Sequence, residues 1–595
     1  MGEFSTNKPC DVCLHTGDQP ECKSSYIKCG LQSLAVSGNQ WFCFMQLQRS
    51  KLKLLLLGLG VFVPLLVTAA TQTDPVVARL HFVGGNQVVL DTNAAKLKNI
   101  GLLPATASFR EQVVRKSANV LADTLGKQFN ASNSDTTATL FQPLLDDVIS
   151  CESVSVFGGR PDAPLGFVVA IHLTDSQANI WLDNLGRILG TPPEIFTAAG
   201  FEGSVWKKAS FRVVRAKQWL VISRGDDLAA QQNEILGNLS KQGHPSSNLK
   251  DAWLEADADW PRLAAWLPLS SSPFKLARAK ITLASKNDKI RTTVNLHYPQ
   301  PLQWTAKPWR VPVEHVRDPL VSFTAARNVA PFMAPNQMLS TLKVNPWNEQ
   351  VYVWAVETMP IQTLAAIPVE HSTNLLRELA TQLPTVFNPT LKTLGCGDMS
   401  EFTNHQGVAW HGVMPIVPTL RAGSEKSGDF LFGEFVPPLP LGNTKPAPPE
   451  LFSQFSGRAD VVYYDWELTQ LRLMQWRPMA QMLPILRTTS LSHPAMLSAP
   501  APVPMAAAPA KTNQLAKIVS ARRTRDTWLK ALEAELGTAN AITEISLTGP
   551  SDAKLIRSSA LGFTGLELAL LSDWLTDAGL RVFPGPVPAM TKPNK

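Results

Sequence analysis

The chain has 595 residues, 17% of them charged, with a net charge of +7, 46 prolines and 16 tryptophans. That length is too great for one core and implies two or more domains. Ordinary hydrophobicity excludes a disordered or multi-spanning protein, and the absence of any Lys/Arg tract interleaved with aromatics leaves no nucleic acid among the expected partners.

Residues 1–44 are a Cys-containing extension with five of the seven cysteines, Cys10, Cys13, Cys22, Cys29 and Cys43. Cys10 and Cys13 followed by Cys22 and Cys29 resemble a zinc knuckle. The second pair, however, has six residues between its members, where such pairs have two to four, and no apolar run surrounds it. The alternative is a start at Met45. Residues 45–70 bring Arg49, Lys51 and Lys53 before an uncharged apolar run of seventeen residues, Leu54 to Ala70. This is a signal peptide or a signal-anchor helix. It lies at the lower limit of a membrane span and slightly above a signal core, and Pro64 and the small residues of Val67-Thr-Ala-Ala70 suit cleavage. The basic flank keeps its near end cytoplasmic, so everything after residue 70 is expected outside the cytoplasm: periplasmic or secreted, and membrane-anchored if the signal stays on.

The remainder repeats itself. Asp74–Val83 is echoed by Asp318–Ala325, Thr139–Cys151 by Thr385–Cys396, and Gly166–Ile171 by Gly407–Val413. Trp253–Leu263 is echoed by Val461–Leu471, and Ala279–Arg291 by Thr543–Arg557. The expected organisation is a first α+β repeat over 71–310, a linker over 311–317, a second repeat over 318–585 and a tail over 586–595. Pro-rich insertions fall near 435–450 and 498–510. The fold class is α+β: two tandem copies of a unit with an antiparallel sheet and helices covering one face, preceded by one hydrophobic helix. In the first copy, Phe167–Leu173 reads as a strand. Gln177–Leu189 reads as a helix with Ile180, Leu182, Leu185, Ile188 and Leu189 on its apolar face. Phe211–Ser223 reads as a hairpin turning at Ala216-Lys217, and Leu228–Leu239 as a second helix. The second copy is shorter between its central strand and Asp465, as if a helix were missing.

No catalytic signature is present: no G-x-S-x-G elbow, H-E-x-x-H helix, P-loop or strand-borne G-x-G-x-x-G. The densest group of potential ligands is Cys396, Asp398, Glu401, His405 and His411. Of these, Cys396, His405 and His411 form the candidate metal set, with zinc as the ion. Against it, His411 sits in an apolar strand alternation and Glu401 and His405 fit a polar turn. Glu152 beside Cys151 has no histidine near it in sequence. Cys151 and Cys396 would either form a disulfide across a pseudo-two-fold axis or be small buried residues in equivalent cores. Asp257 and Asp465 read as helix caps at strand-to-helix junctions, and Trp253, Trp260, Trp266, Trp466 and Trp476 as fillers between helix and sheet. The basic stretch Lys517–Lys530 reads as a solvated helix face.

The function these residues imply is a non-enzymatic binding or scaffold module of the cell envelope. Its ligand would be another envelope protein, a polysaccharide or a lipid. The alternative is an extracytoplasmic hydrolase or metalloenzyme using the Cys396–His411 region.

Overall fold

The computed structural model describes residues 74–576 except 130–133, 191, 247–248, 250, 268–273, 333–349, 357–361, 394–396, 403–406, 412–416, 435–443 and 478–509. The extension, the 45–70 segment, and most of both Pro-rich insertions lie outside the described residues. No described helix is long and apolar enough to cross a membrane.

The protein mixes helix and strand around a large antiparallel sheet. Its first half supplies β1 (Val76–Phe82), β2 (Ser153–Gly158) and β3 (Gly166–His172). These are followed by β4 (Glu194–Ala198), β5 (Phe201–Trp206), β6 (Phe211–Ala216) and β7 (Trp219–Arg224). The half closes with β8 (Leu254–Asp259), β9 (Arg278–Lys286) and β10 (Lys289–His297). The second half supplies β11 (Leu320–Arg327), β12 (Gln350–Val356) and β13 (Thr363–Pro368). Next are β14 (Asp398–Phe402), β15 (Gly407–His411), β16 (Thr419–Glu425) and β17 (Gly428–Glu434). Last are β18 (Val461–Leu468), β19 (Asn540–Gly549) and β20 (Asp552–Ser559).

Every pairing among the described residues is antiparallel. From one end the sheet runs β4–β5–β6–β7–β3–β2–β1–β8–β9–β10. β10 then pairs with β20, and the path continues β20–β19–β18–β11–β12–β13–β17–β16–β15–β14. The order is the same on both sides of the β10–β20 seam. A ladder irregularity falls at Val76/Ala78 in β1 and at Leu320/Ser322 in β11, 244 positions apart (320 − 76).

Two of the sequence echoes do not share a place in this path. Residues 139–150 lie in the helix that precedes β2, whereas 385–393 lie in the helix that follows β13. β3 is flanked by β2 and β7, but β15 by β14 and β16. Short apolar strands resemble one another in composition, so a local match fixes neither register nor neighbour.

Helices cover both faces of the first-half sheet rather than one. α1 (Ala95–Leu102), α2 (Pro104–Phe129) and α3 (Ser134–Ser150) lie between β1 and β2 in sequence. α3 and α4 (Asp175–Leu189) bury Phe141, Leu144, Trp181 and Leu185 against Phe167, Ile171 and Leu220. On the opposite face α5 (Ala229–Gln242) packs Ile235, Leu236 and Leu239 on Ala170, Val214 and Val221. α4 has a capping box, Thr174 with Gln177, and ends at Gly190 in the left-handed conformation. Its buried stripe is Ala178, Trp181, Asn184, Leu185 and Ile188, and Ile180 stays 46% exposed. The indole of Trp181 turns the stripe because its Nε1 donates to Asp147 of α3 at 2.8 Å. The β9–β10 hairpin turns at Asn287 and Asp288, both at positive φ, as a tight primed turn requires.

In the second half, α6 (Ser372–Thr393) packs Leu376 and Leu379 on Val408 and Leu431. The helix expected to be missing is reduced to five residues, Pro449–Ser453. α7 (Ala510–Leu536) and α8 (Gly565–Thr576) share a core with α1 and α2, in which Ile100 and Phe109 meet Trp528, Leu532, Leu566 and Trp574. Phe109 stacks on Trp528 at 3.8 Å between centroids. One core therefore joins the two halves. Residues 311–317 are not a free linker, since Val311 and Val316 are buried beside Phe323 and Tyr352. Trp253, Trp266 and Trp476 are buried, as interface fillers should be. On α7, Arg525 is buried and pairs with Asp573 at 2.8 Å, while Arg522 and Arg523 are exposed.

Candidate functional site

The Cys396–His411 group is only partly described. Cys396 and His405 lie outside the described residues. His411 ends β15, exposed and directly opposite Asp398. Glu401 is three residues along β14 and so belongs to the other face. The strand pairing thus separates Glu401 from the Asp398–His411 pair. Cys151 is a half-buried free thiol, 3.8 Å from Gln177 Nε2. Burial and the Asp147 carboxylate push it above the usual thiol range, which suits a packing residue.

The two aspartates are not caps. Asp257 is in mid-strand β8 and forms a bidentate pair with Arg278 at 2.8–2.9 Å. The cap is Asp259, whose carboxylate accepts from the Arg262 N–H. Asp465 is buried in β18 and accepts from Thr324 Oγ1 at 2.7 Å. The helix begins after the strand has finished its pairing, so the junction lies beyond each aspartate.

Among the described residues the structure brings His81, Glu152 and His244 together. His81 lies on β1 opposite Val154 of β2, and Glu152 precedes Val154 by two, so strand parity puts both side chains on one face. Glu152 is fixed by its backbone, whose carbonyl accepts from His172 N–H at 2.9 Å. α5 covers the same face and stops at Gly243, in the left-handed conformation with its N–H on Leu239 O. The chain then turns back over the sheet and delivers His244, whose ring meets Trp219 edge-on at 5.2 Å.

Glu152 Oε1 is shared by both rings, 2.9 Å from His81 Nε2 and 2.9 Å from His244 Nε2. Ser246 serves the far side of each ring: its Oγ is 3.2 Å from His81 Nδ1 and its carbonyl 2.5 Å from His244 Nδ1. Burial pushes the Glu152 carboxyl upward, but the hydrogen bonds from His81 and His244 outweigh it and hold the group below its usual range. Side-chain exposure is 9% for His81, 21% for His244 and 28% for Glu152, so the acid keeps an opening to solvent.

No family model, curated protein or solved structure matches this chain.

The function of this cluster therefore rests on its own chemistry. A carboxylate between two imidazoles can move protons, hold a cation, or pin a loop. Glu152 was visible in the sequence, but its partners are 71 and 92 positions away and carry no local motif.

Proposed function

We propose that this chain is a non-enzymatic binding and scaffold protein of the cell envelope, built from two copies of one α+β unit and carried out of the cytoplasm by residues 45–70. The duplication is supported by the identical strand order on either side of the β10–β20 seam and by the matched irregularities in β1 and β11. The address is supported by the basic flank and apolar run of the 45–70 segment.

The observation that favours binding is the contrast between the two ends of the sheet. At β14, Asn388 of α6 receives the Met399 N–H at 2.7 Å and donates to its carbonyl at 2.9 Å, so that edge is engaged at Met399. At β4, no described residue pairs with the outer edge, and Ile195 is 75% exposed there. An unpaired edge with an apolar side chain accepts an added strand, the mode by which extended peptides dock on sheets. Of the three ligand classes the sequence leaves open, this geometry favours another envelope protein over a polysaccharide or a lipid.

Fractionation with N-terminal sequencing of the mature protein tests the address: a start at Thr71, or an intact chain in membranes, is expected. A photo-crosslinking residue at position 195 should give an adduct with an extracytoplasmic protein that the same residue at exposed Val519 does not give. An intact chain in the cytosol, or no adduct specific to position 195, overturns the reading.

A further inference from the structure

We infer that His81, Glu152 and His244 form a binding site for one divalent transition-metal ion of the zinc class, separate from the Cys396–His411 region. The ligand atoms all lie within 4.8 Å of one another. Both ring nitrogens that face the carboxylate are Nε2 atoms, at 2.9 Å. Tetrahedral ligands at zinc–nitrogen distances of about 2.0 Å stand about 3.3 Å apart. Each imidazole thus needs to draw back from the carboxylate by only a few tenths of an ångström to admit the ion. Two imidazoles and one carboxylate are a donor set that zinc favours, and the opening beside Glu152 leaves room for a water as fourth ligand.

The stronger support comes from the other side of the rings. A neutral histidine bound through Nε2 carries its proton on Nδ1, and that N–H needs an acceptor to hold the ring in place. Both acceptors are present and come from one residue. Ser246 Oγ stands 3.2 Å from His81 Nδ1; at His244 Nδ1 the Ser246 carbonyl, at 2.5 Å, is nearer than the Ser246 N–H, at 3.3 Å, and is the acceptor in the Nδ1-protonated tautomer. On binding, the ion replaces the protons that the two Nε2 atoms now direct at Glu152. Each is released to solvent or relocated to Nδ1 of the same ring, and no oxidant or further reactant is required.

The site belongs to the first half only. In the register of β11 and β12, offset 244 places Ala325 where β1 has His81. Gln350, two residues before Tyr352, the partner of Ala325, stands where Glu152 does. Its amide is committed to Arg310 N–H, Tyr352 OH and the Pro308 carbonyl.

The test is Co²⁺ titration of the full-length chain in detergent, with equilibrium dialysis against Zn²⁺. The wild-type chain should bind one more equivalent than the His81→Gln/His244→Gln double variant. That equivalent should show d–d absorption without thiolate-to-metal charge transfer, which separates it from any cysteine site. Glu152→Gln keeps a hydrogen-bond acceptor and should weaken this equivalent at least tenfold. Ser246→Ala, which leaves all three ligands in place, should weaken it by about tenfold, within the range for lost outer-shell partners. Equal stoichiometry in wild-type and double-variant chains overturns the inference, as does an extra equivalent bound only through thiolate. If the double variant fails to fold, unchanged affinity in both Glu152→Gln and Ser246→Ala overturns it.

Discussion

Arg327 offers the sharpest test of how the second half is held together. The residue is buried, 3% exposed, and its guanidinium bonds to no carboxylate among the described residues. It donates instead to four carbonyls: Val461 at 2.9 Å, Lys307 at 2.9 Å, Arg458 at 2.7 Å and Ala459 at 2.8 Å. Trp309 lies below it at 4.3 Å from the ring centre. One side chain thereby ties the segment before β11 to the start of β18. Arg327→Met fills much the same volume but takes the guanidinium donor away from all four carbonyls. Each unsatisfied buried acceptor costs about 1–3 kcal/mol. Burial disfavours the charge and lowers the pKa of the guanidinium, so its removal returns part of that cost. A net loss of about 4 kcal/mol is expected. Arg327→Lys keeps the charge but has three donors on one nitrogen in place of the planar fork, and about half that loss is expected. Urea midpoints followed by both tryptophan fluorescence and circular dichroism measure it, since two probes reveal any loss of two-state behaviour. A methionine variant within about 1 kcal/mol of wild type would refute the claim that these four bonds organise the region.

Two further predictions concern other buried groups. Glu467 is 4% exposed and accepts from the Gly565 N–H at 2.6 Å, and burial followed by the charge of Asp465 pushes its carboxyl well above the usual range. An acid whose folded pKa is raised gives stability that is present below its unfolded pKa and lost as pH rises through the folded one. Glu467→Gln keeps the acceptor, so its stability should fall less than wild type as pH rises from 4.5 to about 8, by about 1.4 kcal/mol per unit of the raised pKa. Parallel urea profiles would refute it. Gly84 has φ +90, and a Cβ there would stand 2.5 Å from the Cys151 carbonyl carbon and 2.7 Å from Glu152 N, both backbone atoms. Gly84→Ala should cost at least about 2 kcal/mol. It should also displace Glu152 enough to weaken Co²⁺ binding, and an unshifted midpoint in thermal unfolding would show that the strand yields freely.

Period and turn chemistry made several elements legible. β3, α4, the β6–β7 hairpin and α5 fall where apolar spacing puts them. The face of α4 was misjudged because apolarity alone ranks Ile180 with its neighbours, whereas the Trp181–Asp147 bond sets the rotation. Asp257 and Asp465 were misplaced for a related reason: an acid in a strand before a helix resembles a cap until pairing shows where the strand ends. The His81–Glu152–His244 cluster could not be found by proximity along the chain. Proximity picks out Cys396, Asp398, Glu401, His405 and His411, and of the described three the parity of β14 puts Glu401 on the other side of the strand from Asp398 and His411.

The shared core has a consequence for how the protein is made. α1 and α2 lie early in the chain, yet Ile100 and Phe109 are buried by residues of α7 and α8. Lys96 Nζ reaches the carbonyl of Leu536, 440 positions later, at 3.2 Å. At ribosomal rates of about 5–20 residues per second, the apolar side of α1 and α2 waits roughly 20–90 s for its partners to emerge. Through that interval it must be held by a chaperone or by transient contacts of its own. Late truncations of the gene should therefore harm the earliest helices as much as the residues they remove.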